Sequence, residues 1–241
     1  MKILHLLLVV LIAATGSINT SAQTADEIIN KWIDAMGGKD KLGTIKTIYT
    51  EGELNIMNNI GPRKTYQING KGFKSETDFN GQKIIDCYTP DSGWSVNPLA
   101  GISTPTNMPA EQVKLGRLQM DAAVPLYDYA AKGSKAELQG KENLSGAASY
   151  KLKLTTATGV EMNFFIDSAT YYILKEVTKM NTGGQDIEIT TVNSDYRKTE
   201  DGFVKSFSQE ISFPGLTFTI TSKKIEINKE IDAGIFEKPK S

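Results

Sequence analysis

Two spacings of apolar residues divide this chain. Ala25, Ile28, Ile29, Trp32, Ile33 and Met36 recur at helical intervals, with Thr24 and Glu27 as a capping-box pair and Gly37-Gly38 as the stop. From Thr44 onward the interval falls to two. Ile48, Leu54 and Ile56 share a strand face with Thr50 and Gly52, while Glu51, Glu53 and Asn55 take the opposite face. Turn signals recur at Asn58-Asn59-Ile60-Gly61-Pro62, Asn69-Gly70, Asn80-Gly81 and Pro90-Asp91-Ser92-Gly93. Each break is too short for a crossover helix, which predicts a meander of antiparallel hairpins.

The segment from Asn97 to about Gly133 interrupts the meander. A Pro- and Thr-rich loop leads to Pro109, and Val113, Leu115, Leu118 and Met120 then mix with Glu111, Lys114 and Arg117 as in a helix running to Asp121. A short helix or loop follows from Pro125 to Ala131. Connections this long act as lids or binding elements more often than as plain links. Strands resume after Gly133: Tyr150, Leu152 and Leu154 alternate with Lys151 and Lys153, and Val160, Met162, Phe164 and Ile166 alternate with Glu161 and Asn163. Further strands cover Tyr171 to Met180, Ile187 to Tyr196, Phe203 to Phe213 and Leu216 to Ile227, for about 11 strands in two runs. Two or three helices cannot cover the apolar face of so wide a sheet. It either curls onto itself or leaves an apolar trough, and the sequence does not separate the two.

The N-terminus adds a compartment. Lys2, an apolar run from Ile3 to Ala14 and the small residues Thr20-Ser21-Ala22 predict an export signal, residues 1–22, cleaved after Ala22. The apolar run is shorter than the roughly 20 residues of a membrane span. No cysteine stands at the cleavage edge to accept a lipid. The product reads as a soluble periplasmic or extracellular chain, with residues 23–241 forming one domain. Its 26 basic and 28 acidic residues disfavour nucleic acid as a partner. Cys87 has no second cysteine to pair with and reads as a small buried strand residue.

Cleavage would also discard His5, the one histidine, and with it His-dependent nucleophilic sites, His-ligated metals and the ordinary proton shuttle near neutral pH. Paired carboxylates remain as a route to glycan hydrolysis. Glu51 with Glu53, and Asp186 with Glu188, share strand faces, but those faces are the solvated ones. No acidic loop has calcium-binding spacing, and Gly183-Gly184 joins two strands as a hairpin turn, not as a phosphate loop. Asp167-Ser168-Ala169 likewise reads as a turn. No metal or cofactor is expected.

The order of elements resembles the LolA/LolB-like outer-membrane lipoprotein-sorting family. The resemblance is carried by Ala25-Asp26-Glu27-Ile28-Ile29 with Met36-Gly37-Gly38 and Leu42, by Gly93-Trp94-Ser95-Val96-Asn97-Pro98, and by Phe236-Glu237-Lys238-Pro239. It implies a mainly β fold with α elements, an incomplete antiparallel β-barrel under a helical lid, enclosing a cavity for acyl chains of a lipoprotein or another lipid. With no cysteine for lipid attachment, the likeness is to the soluble carrier, which would pass cargo from an inner-membrane donor to an outer-membrane acceptor. Tyr66, Phe73, Trp94, Met120, Phe164 and Phe218 are the candidate wall residues. One departure stands out: the arginine that carriers place on the strand before the Trp-containing one, linked to cargo release, is missing from Asn69-Gly70-Lys71-Gly72-Phe73-Lys74. Lys71 or Lys74 is the available substitute, without the planar fork of arginine.

The leading functional reading is therefore a non-catalytic periplasmic acyl-chain carrier. The alternatives are a secreted carboxylate-dependent glycan hydrolase and an envelope sensor or scaffold of the same fold. Intact-mass analysis of the exported protein is expected to give a chain that begins at Gln23. A product that keeps residues 1–22 in the membrane would exclude the soluble carrier.

Overall fold

Period-two alternation becomes an unbroken ladder of strands. The computed structural model describes residues 23–182 and 185–240; the expected export signal with its cleavage edge and the Gly183-Gly184 turn lie outside the described residues. The first run holds β1 (Thr47–Ile56), β2 (Asn59–Ile68), β3 (Gly72–Phe79), β4 (Gln82–Tyr88), β5 (Gly93–Asn97) and β6 (Ile102–Asn107). The second holds β7 (Lys135–Leu144), β8 (Ala147–Thr155), β9 (Glu161–Asp167), β10 (Ile173–Thr182), β11 (Gln185–Lys198), β12 (Val204–Phe213) and β13 (Leu216–Ile227). Thirteen strands thus stand where turn signals gave about 11. One of those hidden from the sequence pattern is β6: its Ile-Ser-Thr-Pro-Thr-Asn reads as loop, yet Pro105 is tolerated because β6 is an edge strand.

All pairings are antiparallel, in the order β6-β5-β4-β3-β2-β1-β13-β12-β11-β10-β9-β8-β7. The two runs join where β1 pairs β13, from Ile48 opposite Ile227 to Ile56 opposite Phe218. Glycine is required at that seam, because a Cβ on Gly52 would lie 2.1 Å from the Thr221 carbonyl oxygen at the bulge. The sheet stays open, with β6 and β7 as its two edges. The insertion, residues 108–134, connects those edges and crosses from one end of the strands to the other.

Helix α1 (Ala25–Ala35) begins as its sequence requires: the Thr24 hydroxyl accepts from the Glu27 amide and the Glu27 carboxylate from the Thr24 amide, each at 3.2 Å. Its apolar stripe is buried. Ile28, Ile29, Trp32 and Ile33 form one cluster with Leu152, Leu154, Phe164 and Ile166 of the sheet and Ala122 and Leu126 of the insertion. A short helix, α2 (Lys39–Gly43), follows and adds Leu42. The insertion is α3 (Ala110–Gly116) and a 3-10 turn (Arg117–Met120), then turns to Gly133, so the helix anticipated to Asp121 tightens after Gly116. There a Cβ would strike the Tyr88 ring at 2.0 Å, and this close approach lets α3 lie on β4.

These helices define an inner face. The outer face is covered at one end by a C-terminal 3-10 turn (Ala233–Phe236), whose Phe236 ring rests over Gly72 and packs on Cys87 and Trp94. Phe164 has no exposed surface at the centre of the inner cluster. Phe164→Ala is expected to cost about 3–5 kcal/mol in urea denaturation. Leu99→Ala, at an exposed turn, is expected to stay within about 0.5 kcal/mol.

Candidate functional site

Cross-strand register fixes which side chains share the inner face. One row runs Ile56, Phe218, Ile211, Thr191, Glu176, Phe164, Leu152 and Leu138 across eight strands. Its Phe164 end lies beneath α1. The opposite end does not: Leu54, Ile56, Ile211, Phe218 and Ile220 are half-buried and belong to none of the three buried clusters. Leu54 faces Ile220 and Ile56 faces Phe218 across the β1–β13 seam. They make an apolar strip on β1, β12 and β13 that α1 and the insertion leave uncovered.

Polar groups flank the strip on both sides. On β2, Arg63 stands in line with Gly52 and Thr77 and donates from Nη1 to the Thr77 hydroxyl at 3.3 Å. Its Nε is buried with no hydrogen-bond partner among the described residues. Burial lowers the Arg63 pKa while Asp86 on β4 opposes that shift, and burial raises the pKa of Asp86. On the other flank Glu176 accepts from Asn193 at 3.1 Å, and Gln209 donates to Asn193 at 2.9 Å. Burial raises the Glu176 pKa, against the Asn193 bond. Lys205 donates to the Ala122 carbonyl at 3.3 Å, tying β12 to the insertion, and burial lowers its pKa to about 8 despite the pull of Asp121. Arg63, Asp86, Glu176 and Lys205 all keep part of their surface accessible, yet desolvation dominates their titration. That combination belongs to groups lining a recess.

The six candidate wall residues separate. Phe218 lies in the uncovered strip, and Phe164 lies sealed under α1. Phe73 packs with Tyr88, Met108 and Val113 beneath α3, and Met120 is buried in the 3-10 turn, where its carbonyl accepts from Gly70 at 3.0 Å. Tyr66 and Trp94 stand on the outer face, which removes them from the wall. Trp94 pairs in register with Cys87 and Asn107, and its indole N–H donates to the Phe236 carbonyl at 3.0 Å. Alternation shows that Trp94 and Val96 share a side, but not which side the helices take.

Lys74 is also on the outer face, ion-paired to Glu76 at 2.7 Å and lying over Trp94, while Lys71 follows the β2–β3 turn. The guanidinium beside the strip is Arg63 on β2, one strand before the β3 position compared by sequence. Its neighbours Pro62 and Lys64 make this stretch read as a polar strand start, so alternation does not single it out. The carboxylate pairs are outward, as their parity suggested: Glu51 accepts from the Tyr49 hydroxyl, which lowers its pKa, and Glu53 pairs with Lys223. Cys87 is buried, with its thiol donating to the Phe236 carbonyl at 3.4 Å and its pKa pushed up to about 12 by burial.

The buried carboxyl on this face gives a signed expectation. With the Glu176 pKa raised by folding, its protonated form is favoured in the native state. The cost of ionising it is absent below the unfolded-state pKa and complete above the folded one. Glu176→Gln is therefore expected to raise the urea midpoint at pH 8 relative to wild type and to leave it nearly unchanged at pH 4. A lower midpoint at pH 8 would show that the carboxylate is stabilising.

No family model and no curated protein sequence matches the chain. Solved structures do. A LolA superfamily protein from Nitrosomonas europaea superposes with a TM-score of 0.59 at 11% identity, over 90% of this chain and 99% of that one. A DUF1329 family protein from Desulfovibrio piger gives 0.58 at 16% identity, over 90% and 98%. A putative outer membrane lipoprotein-sorting protein domain from Vibrio parahaemolyticus gives 0.54 at 13% identity, over 88% and 95%. At such identities the likeness speaks for the fold, and with an open antiparallel sheet, a capped first helix and an insertion joining the sheet edges, this chain has the LolA-like fold.

Proposed function

We propose that this protein is a non-catalytic carrier that shields acyl chains of a lipid or lipoprotein against the inner face of its sheet. The observation that supports this reading is the uncovered strip Leu54, Ile56, Ile211, Phe218 and Ile220, an apolar surface kept open inside a polar margin. Burial of methylenes drives binding at about 0.8 kcal/mol each, so a chain of ten supplies roughly 8 kcal/mol before the costs of association. The polar margin suits a ligand whose apolar tail ends in a polar group. The neighbour from Vibrio parahaemolyticus carries a lipoprotein-sorting description, and that role is the finer part of the proposal. It entails export to the periplasm after cleavage at Ala22, a donor at the inner membrane and an acceptor at the outer membrane.

Delipidated protein is expected to bind a lipoprotein acyl peptide or phospholipid at micromolar concentration, about −8 kcal/mol, in a fluorescent-lipid displacement titration. Phe218→Ser and Ile220→Ser should each weaken uptake by about tenfold, roughly 1.4 kcal/mol, while Trp94→Phe should leave it unchanged. Uptake of neither ligand would exclude the carrier. Uptake of phospholipid without the acyl peptide would retain lipid carriage and exclude lipoprotein sorting.

A further inference from the structure

Register places five described turns at one end of the sheet: 57–58, 80–81, 98–101, 157–159 and 214–215. Their residues are Met-Asn, Asn-Gly, Pro-Leu-Ala-Gly, Ala-Thr-Gly and Pro-Gly, without a single charge. Connections at the opposite end carry Lys71, Asp91, Glu200 and Asp201. The described chain has five exposed large apolar side chains, and four belong to the end that carries these uncharged turns: Met57, Ile60, Leu99 and Phe213, at 75%, 61%, 63% and 37% exposure. The fifth, Val192, lies within β11.

Met57 is the most telling of these. It and Asn58 have φ of +50° and +64°, the left-handed turn conformation that Asn and Gly adopt readily and a residue such as Met adopts at a cost. Its side chain gains no burial in return. The fringe is also continuous with the inner strip: Phe213 stacks on Phe218 with ring centroids 6.0 Å apart, and Ile56, opposite Phe218, leads directly into Met57. We propose that this rim docks on the surface of a lipid bilayer, with Met57, Leu99 and Phe213 entering the acyl region and the inner strip opening toward it. The inference rests on the carrier reading, to which it adds a place of loading and unloading. Apolar tips spread over separate hairpins suit a deformable, uncharged interior, whereas charges in these turns would oppose entry. Contact through a few side chains gives weak, reversible attachment, which a carrier that must leave the membrane needs.

The test is flotation of the full mature chain with phosphatidylcholine vesicles and with vesicles containing phosphatidylglycerol, at low and high salt. A fluorescent fatty acid in solution provides a separate measure of uptake. Wild type is expected to float with both vesicles at both salt concentrations. The triple variant Met57→Asp, Leu99→Asp, Phe213→Asp should lose at least about tenfold in vesicle affinity with unchanged uptake of the soluble acid, and Val192→Asp should behave as wild type. The proposal is overturned by a wild type that does not float, by flotation abolished at high salt, or by equal flotation of the triple variant. It is also overturned if the triple variant loses soluble uptake in parallel, which would make the rim part of the trough. A wild-type dimer in sedimentation velocity that the triple variant abolishes would assign the rim to a second copy and overturn it too. Flotation that depends on the rim, with no soluble uptake by wild type, would uphold docking and remove the carrier reading.

Discussion

The pairing of β1 with β13 is the contact on which the rest of the molecule depends. It joins two meanders distant in sequence into one sheet, and it does so through a backbone approach at Gly52 that leaves no room for a Cβ. Because that seam lies between the runs, β6 and β7 become the far edges and the insertion must connect them. The seam also brings Leu54 to Ile220 and Ile56 to Phe218, creating the centre of the apolar strip. Site and sheet therefore arise from the same ladder of hydrogen bonds.

Coverage of the inner face is unequal, and this inequality is what makes a site. Helix α1 buries its stripe in one cluster with α2, the insertion and one end of the sheet, from Leu152 and Phe164 to Ile227. The insertion reaches β4 and β5 through Met108, just before α3, and Val113 of α3, helped by Gly116 against Tyr88. Nothing in either helix extends to the strip on β1, β12 and β13. In a protein that only needed stability, exposed inner apolar surface would be a liability, and so would a guanidinium whose buried Nε lacks a partner among the described residues. Both features fit the proposed carrier, whose ligand has an apolar tail and a polar end.

The outer face is organised differently. Its Glu53 is matched by Lys223 and its Glu51 by the Tyr49 hydroxyl, and its apolar members Trp94, Cys87 and Phe236 are closed against one another. The C-terminal turn thus acts as a clip over β4 and β5, with two donors, the Trp94 indole and the Cys87 thiol, sharing the Phe236 carbonyl. That closure keeps Trp94 away from the inner strip.

Much of this architecture was legible because it rests on short-range periodicity. The capped helix at Ala25, the hairpin meander, the interruption after Asn97 and the outward carboxylates each follow from local spacing, cap chemistry or turn residues. Parity also places Leu216, Phe218 and Ile220 on one face. Local pattern does not assign that face to the inside, since alternation is symmetric between the two sides of a sheet. That choice fell to the long-range packing of α1, the insertion and the C-terminal turn, which sent Trp94 and Tyr66 outward and Arg63 inward. The sequence by itself determined most of the strands and their alternation, because these depend on neighbours a few residues apart. Only the tertiary structure decided which face was buried and which part of it stayed open, because both depend on contacts between segments up to two hundred residues apart.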